Sequence, residues 1–259
     1  MNTNREGRLQ ATALVTGAGT GIGRALSFAL ANLGINVLGV GRREHLLQET
    51  RDAFPDLIHI LVADLATEEG RRAVIAAEAA KNGFGLVVHN AATLQPVAPL
   101  LEIDHQAWIE HMAINVHAPL FLTQLVVPHM VRGGRILNIS SGAAHNAYRG
   151  WGAYCTSKAA LHMIYQVLKE ELADRELMIG SARPGVVDTP MQAEVRTASP
   201  EIFPDLQRFL DLKDDGNLQT PAHVAKFLTW LLLDVDDEKF THKEWDVRDA
   251  AHHEYWDRH

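Results

Sequence analysis

The chain has 259 residues, 47% of them apolar and 22% charged, with a formal net charge of −8. That is the composition of an ordinary globular protein, and an acidic balance with no basic stripe argues against nucleic acid as a partner. No apolar run approaches the roughly 18 residues that span a bilayer, Met1 to Gln10 is polar with no signal-peptide core, and the lone Cys155 excludes an internal disulfide framework and fits the reducing cytoplasm.

Apolar strand-like runs alternate with amphipathic helical runs, the pattern of an α/β fold: a doubly wound parallel sheet with helices on both faces. Strands are predicted over 13–16, 36–40, 58–62, 86–89, 135–140 and 178–183. Helices are predicted over 22–33, 44–53, 68–82, 106–131, 153–173 and 221–233. Pro128 falls inside the fourth helix and kinks or ends it, because proline donates no backbone bond. No repeat, linker or low-complexity tract appears, so residues 1–259 read as one domain. Residues 190–219 break the alternation, with Pro200, Pro204 and Gly216 among short helical pieces. An excursion of that length is usually functional. It leaves the sheet just after Pro184-Gly185, on the edge where doubly wound folds bind ligands, and reads as a substrate lid; the alternative is a solvated surface insertion. The tail from Trp245 to His259, with Ala251-His252-His253-Glu254, is rich in histidine but offers no convergent ligand spacing, so no metal is expected.

Near the start, Thr16-Gly17-Ala18-Gly19-Thr20-Gly21-Ile22-Gly23 follows a predicted strand and opens a predicted helix. Glycines at 17, 21 and 23 permit a sharp turn and let backbone amides approach a phosphate, with the helix N-terminus supplying partial positive charge. The spacing is G-x-x-x-G-x-G rather than the usual dinucleotide fingerprint G-x-G-x-x-G. Strand before and helix after make it a nucleotide site.

Tyr154 and Lys158 stand four residues apart in a predicted helix and share one face. A free tyrosine has a pKa of about 10, and a nearby ammonium is expected to pull that value down toward the range useful for proton transfer. Ser141 ends the apolar run thirteen residues before Tyr154. Cys155 adjoins Tyr154, but successive helical residues do not share a face, so no nucleophile is assigned to it.

Together these features resemble the short-chain dehydrogenase/reductase family nearly end to end. The likeness includes Thr16 to Gly23, Asp64-Leu65, Asn115, Ser141, Tyr154, Lys158 and Pro184-Gly185-Val186-Val187-Asp188-Thr189. His89-Asn90-Ala91-Ala92 stands where the family usually has N-N-A-G. Within the family, Tyr148 to Cys155, Asp188 to Gln192 and Leu212 to Leu218 look like sepiapterin reductases and benzil reductases.

The resemblance implies a cofactor site formed by Gly17, Gly19, Thr20, Gly21, Ile22 and Gly23, with Tyr154 and Lys158 also touching the cofactor. By the same likeness, Asp64 and Leu65 border the adenine, Asn90 and Ala91 line the ribose side, and Pro184, Gly185, Val187 and Thr189 meet the nicotinamide. NAD enzymes usually place an acid at the end of the second strand, yet no Asp or Glu precedes Glu44 here. Arg42 and Arg43 instead suit the 2′-phosphate of NADP(H), and the family position is Arg42. Where many NADP-preferring relatives carry a basic residue, this chain has Thr20.

Hydride addition to a ketone builds negative charge on oxygen that must be stabilised and protonated. The resemblance implies Tyr154 as general acid and Ser141 as the hydroxyl that polarises the carbonyl. It implies Lys158 on the nicotinamide ribose, and Asn115 as anchor of a water leading to Lys158. Tyr148 and Trp151 offer flat surfaces to an aromatic ketone, and Met191 and Gln192 add contacts from the lid. Asp246, with Asp249 as fallback, is the candidate anchor for a pterin edge. The expected activity is an NADPH-dependent carbonyl reductase of vicinal diketones or α-hydroxy ketones, with a small-molecule carbonyl substrate and a homodimer. An oxidatively working NAD(P) alcohol dehydrogenase and a non-catalytic dinucleotide-binding regulator are the alternatives.

Overall fold

Residues 3–257 are described by the computed structural model of the chain, with side chains from residue 5 onward; Met1 and His259 lie outside the described residues. Seven strands form one parallel sheet: β1 (Thr12–Thr16), β2 (Val37–Gly41), β3 (Ile58–Val62), β4 (Phe84–His89), β5 (Met130–Ile139), β6 (Met178–Arg183) and β7 (Glu244–Asp246). Their order is β3-β2-β1-β4-β5-β6-β7. Every residue of β1 and of β4 is buried, as expected of central strands covered on both faces.

One apolar layer packs α2 (Gly21–Asn32) and α10 (Pro221–Leu233) on the sheet through Leu26, Leu30, Phe227 and Leu231. The opposite layer uses α6 (Ala118–Val126) and α7 (Gly152–Ala173), with Leu122, Val126, Tyr165 and Leu172 turned inward. The remaining helices in chain order are α1 (Thr3–Gln10), α3 (Glu44–Asp52), α4 (Glu68–Ala76), α5 (His105–Met112), α8 (Pro190–Val195), α9 (Leu206–Asp214), α11 (Asp237–His242) and α12 (His253–Trp256). Among the described residues no helix is long and apolar enough to cross a membrane.

Four sequence expectations change. The helix predicted over 106–131 divides into α5, a π-helical turn Ala113–His117 and α6, and Pro128 ends it within a 3-10 turn; β5 begins two residues later. The helix predicted over 68–82 stops at Ala76, where Ala77 is extended. The polar N-terminal segment forms α1, because Arg8 buries its guanidinium on Leu232 O and the Asp237 carboxylate. β7 was not predicted; three residues carry no alternation, and they become a strand only by pairing with the edge of β6.

Candidate active site

Because the strand order reverses between β1 and β4, a crevice opens at the carboxyl ends of the strands. A cleft of about 640 Å³ lies there. One wall is the β1–α2 turn, with Gly17, Gly19, Thr20, Gly21 and Ile22. Gly17 holds a φ of +68°, and a Cβ on Gly23 would lie 2.3 Å from Gly17 O. Gly23 therefore packs the helix against its own turn and does not reach the cleft wall, contrary to the expectation that it faces a phosphate. Thr20 leaves α2 without a side-chain cap, whereas Thr67, Asp104, Thr189 and Thr220 cap their helices. The uncapped end beside the cleft is a ready anion site.

Arg42 and Arg43 at the end of β2, and Asp64 and Leu65 after β3, continue this wall. Asn90 and Ala91 follow β4. Asn90 Nδ2 donates to Thr16 O at 2.8 Å, while the backbone amides of Asn90 and Ala91 donate to Thr16 Oγ1 at 2.9 and 3.0 Å, binding the two central loops together. His89, the departure from the family pattern, is buried away from solvent against Thr123 Oγ1 at 2.8 Å; desolvation drives its pKa down to about 4, so it is neutral.

Ser141, Tyr154 and Lys158 converge on the opposite wall. Tyr154 and Lys158 are both buried, on one face of α7, with Lys158 Nζ 5.7 Å from the phenol ring centre and donating to Ile139 O at 2.8 Å. Burial pushes the Tyr154 phenol up to about 12, against a smaller lowering from a hydrogen bond with Ser141. The expected lowering is thus reversed: the phenol is raised by desolvation, and Lys158 is not among the groups that shift it. Lys158 is itself driven down to about 8 by burial, partly opposed by the charge of Glu244.

Asn115 lies in the π-helical turn behind the wall and does not line the cleft. Its Oδ1 accepts from Thr93 N at 2.9 Å, and its Nδ2 lies 2.9 Å from Thr93 O, 3.1 Å from Ser157 Oγ and 3.0 Å from His111 Nε2. The side chain thereby positions the loop at Thr93, and one lone pair of Oδ1 stays open. His111, unforeseen in the sequence, is buried here. Its Nδ1 lies 2.6 Å from Gln95 O and must carry the proton, which leaves Nε2 an acceptor facing Asn115 Nδ2 at 3.0 Å and Ser157 Oγ at 2.8 Å, whose own proton goes to Tyr154 O at 2.9 Å. Burial lowers its pKa and Lys158 lowers it further, consistent with the neutral ring.

Pro184, Gly185, Val187 and Thr189 reach the cleft after β6, followed by Met191 and Gln192 from α8. Tyr148 and Trp151 also line it. Trp151 stacks on Phe203 at 4.5 Å between ring centres, with Tyr148, Tyr154 and Phe209 within 5.7 Å. Phe203, Leu206 and Phe209 are buried, so the segment 190–219 is anchored in the cluster around Trp151 and is no wholly solvated insertion. The Trp151 indole N–H and both polar atoms of the Gln192 amide are buried without a hydrogen-bond partner.

Asp246 stays outside the cleft. It accepts from Arg248 at 2.7 and 2.9 Å and pairs with Arg183 at 3.3 Å, and burial is outweighed by these bonds so that its carboxyl sits below the usual range. Asp249 caps the turn at Ala251 N and pairs with Lys243. Neither tail acid is offered to a ligand; Arg183 and Arg248 line the cleft instead.

A parallel sheet whose switch-point crevice joins an uncapped glycine turn to a buried Tyr–Lys pair defines the class of dinucleotide-binding oxidoreductases. The model of the short chain dehydrogenase family matches residues 11–200, and the chain belongs to that family, whose members bind a nicotinamide cofactor. It is 34% identical over 230 residues to benzil reductase ((S)-benzoin forming) of Bacillus cereus, covering 85% of this chain and 92% of that protein. It is 35% identical over 182 residues to D-erythrulose reductase of Gallus gallus, covering 69% and 72%. A short-chain dehydrogenase/reductase structure from Saccharomyces cerevisiae superposes with a TM-score of 0.85 at 27% identity, over 95% of this chain and 99% of that one.

Proposed function

We propose that the protein is an NADPH-dependent carbonyl reductase of vicinal diketones or α-hydroxy ketones. The carrying observation is the Gln192 amide, buried and unpartnered in the wall of the cleft that holds Ser141 and Tyr154. A buried amide left unsatisfied costs about 1–3 kcal/mol, and a second oxygen beside the reacting carbonyl would recover it. Relatives named for benzil and D-erythrulose reduction support that substrate class.

The glycine turn, the uncapped end of α2 and the unpartnered Arg42 fit a phosphate-bearing dinucleotide. Arg42 makes no hydrogen bond or ion pair among the described residues, and the acids lining the cleft are Asp64 and Glu194, so a 2′-phosphate meets no carboxylate at the end of β2. When bound, the nicotinamide supplies the hydride. Ser141 polarises the carbonyl oxygen and Tyr154 protonates it. A phenol near pKa 12 is fully protonated at neutral pH, which suits donation and makes it a poor base for oxidation. Lys158 holds the cofactor ribose, and Asn115 with His111 positions the loop facing it. Residues 190–219 act as a lid over an aromatic substrate on Trp151, excluding water from these hydrogen bonds. With Asp246 locked by two arginines, the tail gives a pterin no acidic anchor, which favours a diketone.

The reading includes a homodimer built on α6 and α7, whose Phe121, Met163 and Val167 are exposed, working in the cytoplasm; light scattering at micromolar concentration is expected to give twice the chain mass. The deciding experiment is NADPH oxidation with benzil, isatin, sepiapterin and a simple monoketone. Diketones should be reduced with the highest kcat/KM. Equal efficiency with the monoketone would remove Gln192 from the argument.

A further inference from the structure

Away from the cleft, three side chains from distant segments meet around one carboxylate. His145 closes the turn that follows Ser141, His162 stands on α7 one turn beyond Lys158, and Glu244 opens β7. His145 Nε2 lies 2.6 Å from Glu244 Oε2, and His162 Nδ1 lies 3.2 Å from Glu244 Oε1. The imidazole rings are edge to face with centres 4.7 Å apart, and the three ligand atoms all lie within 4.8 Å of one another. None of the three lines the cleft.

The geometry points to a site for a first-row divalent transition cation, zinc foremost, held by His145, His162 and Glu244. Two imidazoles and one carboxylate are a zinc ligand set, with bonds of about 2.0–2.2 Å. Tetrahedral bonds of that length place neighbouring ligand atoms about 3.3 Å apart, so small side-chain shifts bring these three onto one ion. Each imidazole already aims a nitrogen at the carboxylate, the direction from which a shared ion would be bound. Histidine and carboxylate ligands together select zinc and its neighbours over magnesium or calcium, which prefer oxygen alone.

The surroundings supply the supports that a metal ligand needs. Ser181 Oγ donates to Glu244 Oε1 at 2.8 Å and orients the carboxylate. The Gln166 amide lies 3.3 Å from His162 Nε2, where its oxygen can accept that N–H once Nδ1 binds the ion. Arg183 is the competing cation, 3.3 Å from Glu244 Oε2, but it has a second carboxylate in Asp246 at the same distance. The Glu244 side chain is 8% exposed and that of His145 is 38% exposed, so a remaining coordination position opens to solvent at His145. An ion here ties the turn after Ser141, α7 and β7 together and takes no part in hydride transfer.

The test uses the full chain, freed of metal with a chelator and titrated with Co²⁺ as a visible stand-in for zinc. One equivalent should develop the absorption of a four- or five-coordinate ion, bleached by Zn²⁺, and Zn²⁺ should raise the thermal midpoint. His145→Ala and His162→Ala should each weaken binding at least about 100-fold, more than the roughly 10–100-fold cost of losing an outer-shell partner. His145 is exposed enough that its variant keeps the fold, checked by an unchanged midpoint without metal. His253→Ala, in the histidine-rich tail, should bind as the parent does. Parent binding no tighter than that of His145→Ala and His162→Ala, or an equal loss in His253→Ala, would overturn the site.

Discussion

At the β1–α2 end of the cleft the wall is a single turn, drawn from residues between Gly17 and Ile22. At the Trp151 end it is side chain, drawn from the turn before α7, from α8 and from α9. The first end binds by what has been removed: Gly23 has no Cβ because one would strike Gly17 O at 2.3 Å. The second binds by what has been added, a stack of Trp151 on Phe203 and a buried amide at Gln192. A local backbone shape tolerates little change and serves one cofactor. An assembly of side chains from separate segments can be re-lined, so substrate choice is carried there.

The largest effect belongs to the junction of the two ends. Tyr154→Phe keeps the ring beside Trp151 and removes only the proton donor. Reduction should fall about 10²–10⁴-fold, the usual contribution of a general acid, while NADPH still binds by fluorescence titration. Activity within tenfold of the parent would take the proton-donor role from Tyr154.

Next comes the cofactor end. Arg42→Ala should raise the KM for NADPH about 10–100-fold, the worth of a charge-assisted hydrogen bond of about 1.5–3 kcal/mol, and leave the KM for NADH within about twofold. Steady-state kinetics with both cofactors measures it. A parallel rise for NADH would show that Arg42 shapes the wall and reads no phosphate.

A smaller and more selective change is expected at the substrate end. Gln192→Leu removes an amide that has no partner in the free protein, so the thermal midpoint should hold or rise. Diketone kcat/KM should drop about tenfold for one lost hydrogen bond, with a monoketone unaffected. Equal losses on both substrates would make Gln192 a packing residue.

The contrast between the ends also explains what was legible in the sequence. The glycine turn, Arg42, Ser141, Tyr154 and Lys158 sit inside short segments whose local shape determines where they point, and all of them reach the cleft. Phe203, Phe209 and His111 matter only once distant segments meet, and no spacing announces that. The same holds for His145, His162 and Glu244, gathered by a three-residue strand that has no pattern of its own. Asp246 lies in that strand too, and its two arginine partners arrive from β6 and from the tail. Burial misled most where charge was concerned. Spacing placed Lys158 beside Tyr154 correctly, but it could not show that desolvation is the largest cause of the shift in both groups.

That desolvation yields the last prediction, on stability. Lys158 has a folded-state pKa of about 8 against 10.5 ordinarily, so folding disfavours its charged form. Between pH 8 and 10.5 the unfolded chain binds more protons, and stability gained from this group rises with pH across that window. At pH 7 both states are protonated and the full penalty stands, on the order of 3 kcal/mol. Lys158→Met removes the buried charge and also its bond to Ile139 O, worth about 1 kcal/mol. The variant should therefore be more stable at pH 7 by about 1–2 kcal/mol in urea denaturation, with the advantage shrinking by pH 9.5, while reductase activity is lost. A variant equally destabilised at both pH values would mean that Lys158 is well solvated in the free protein, and the two ends of the cleft would then share no strained charge between them.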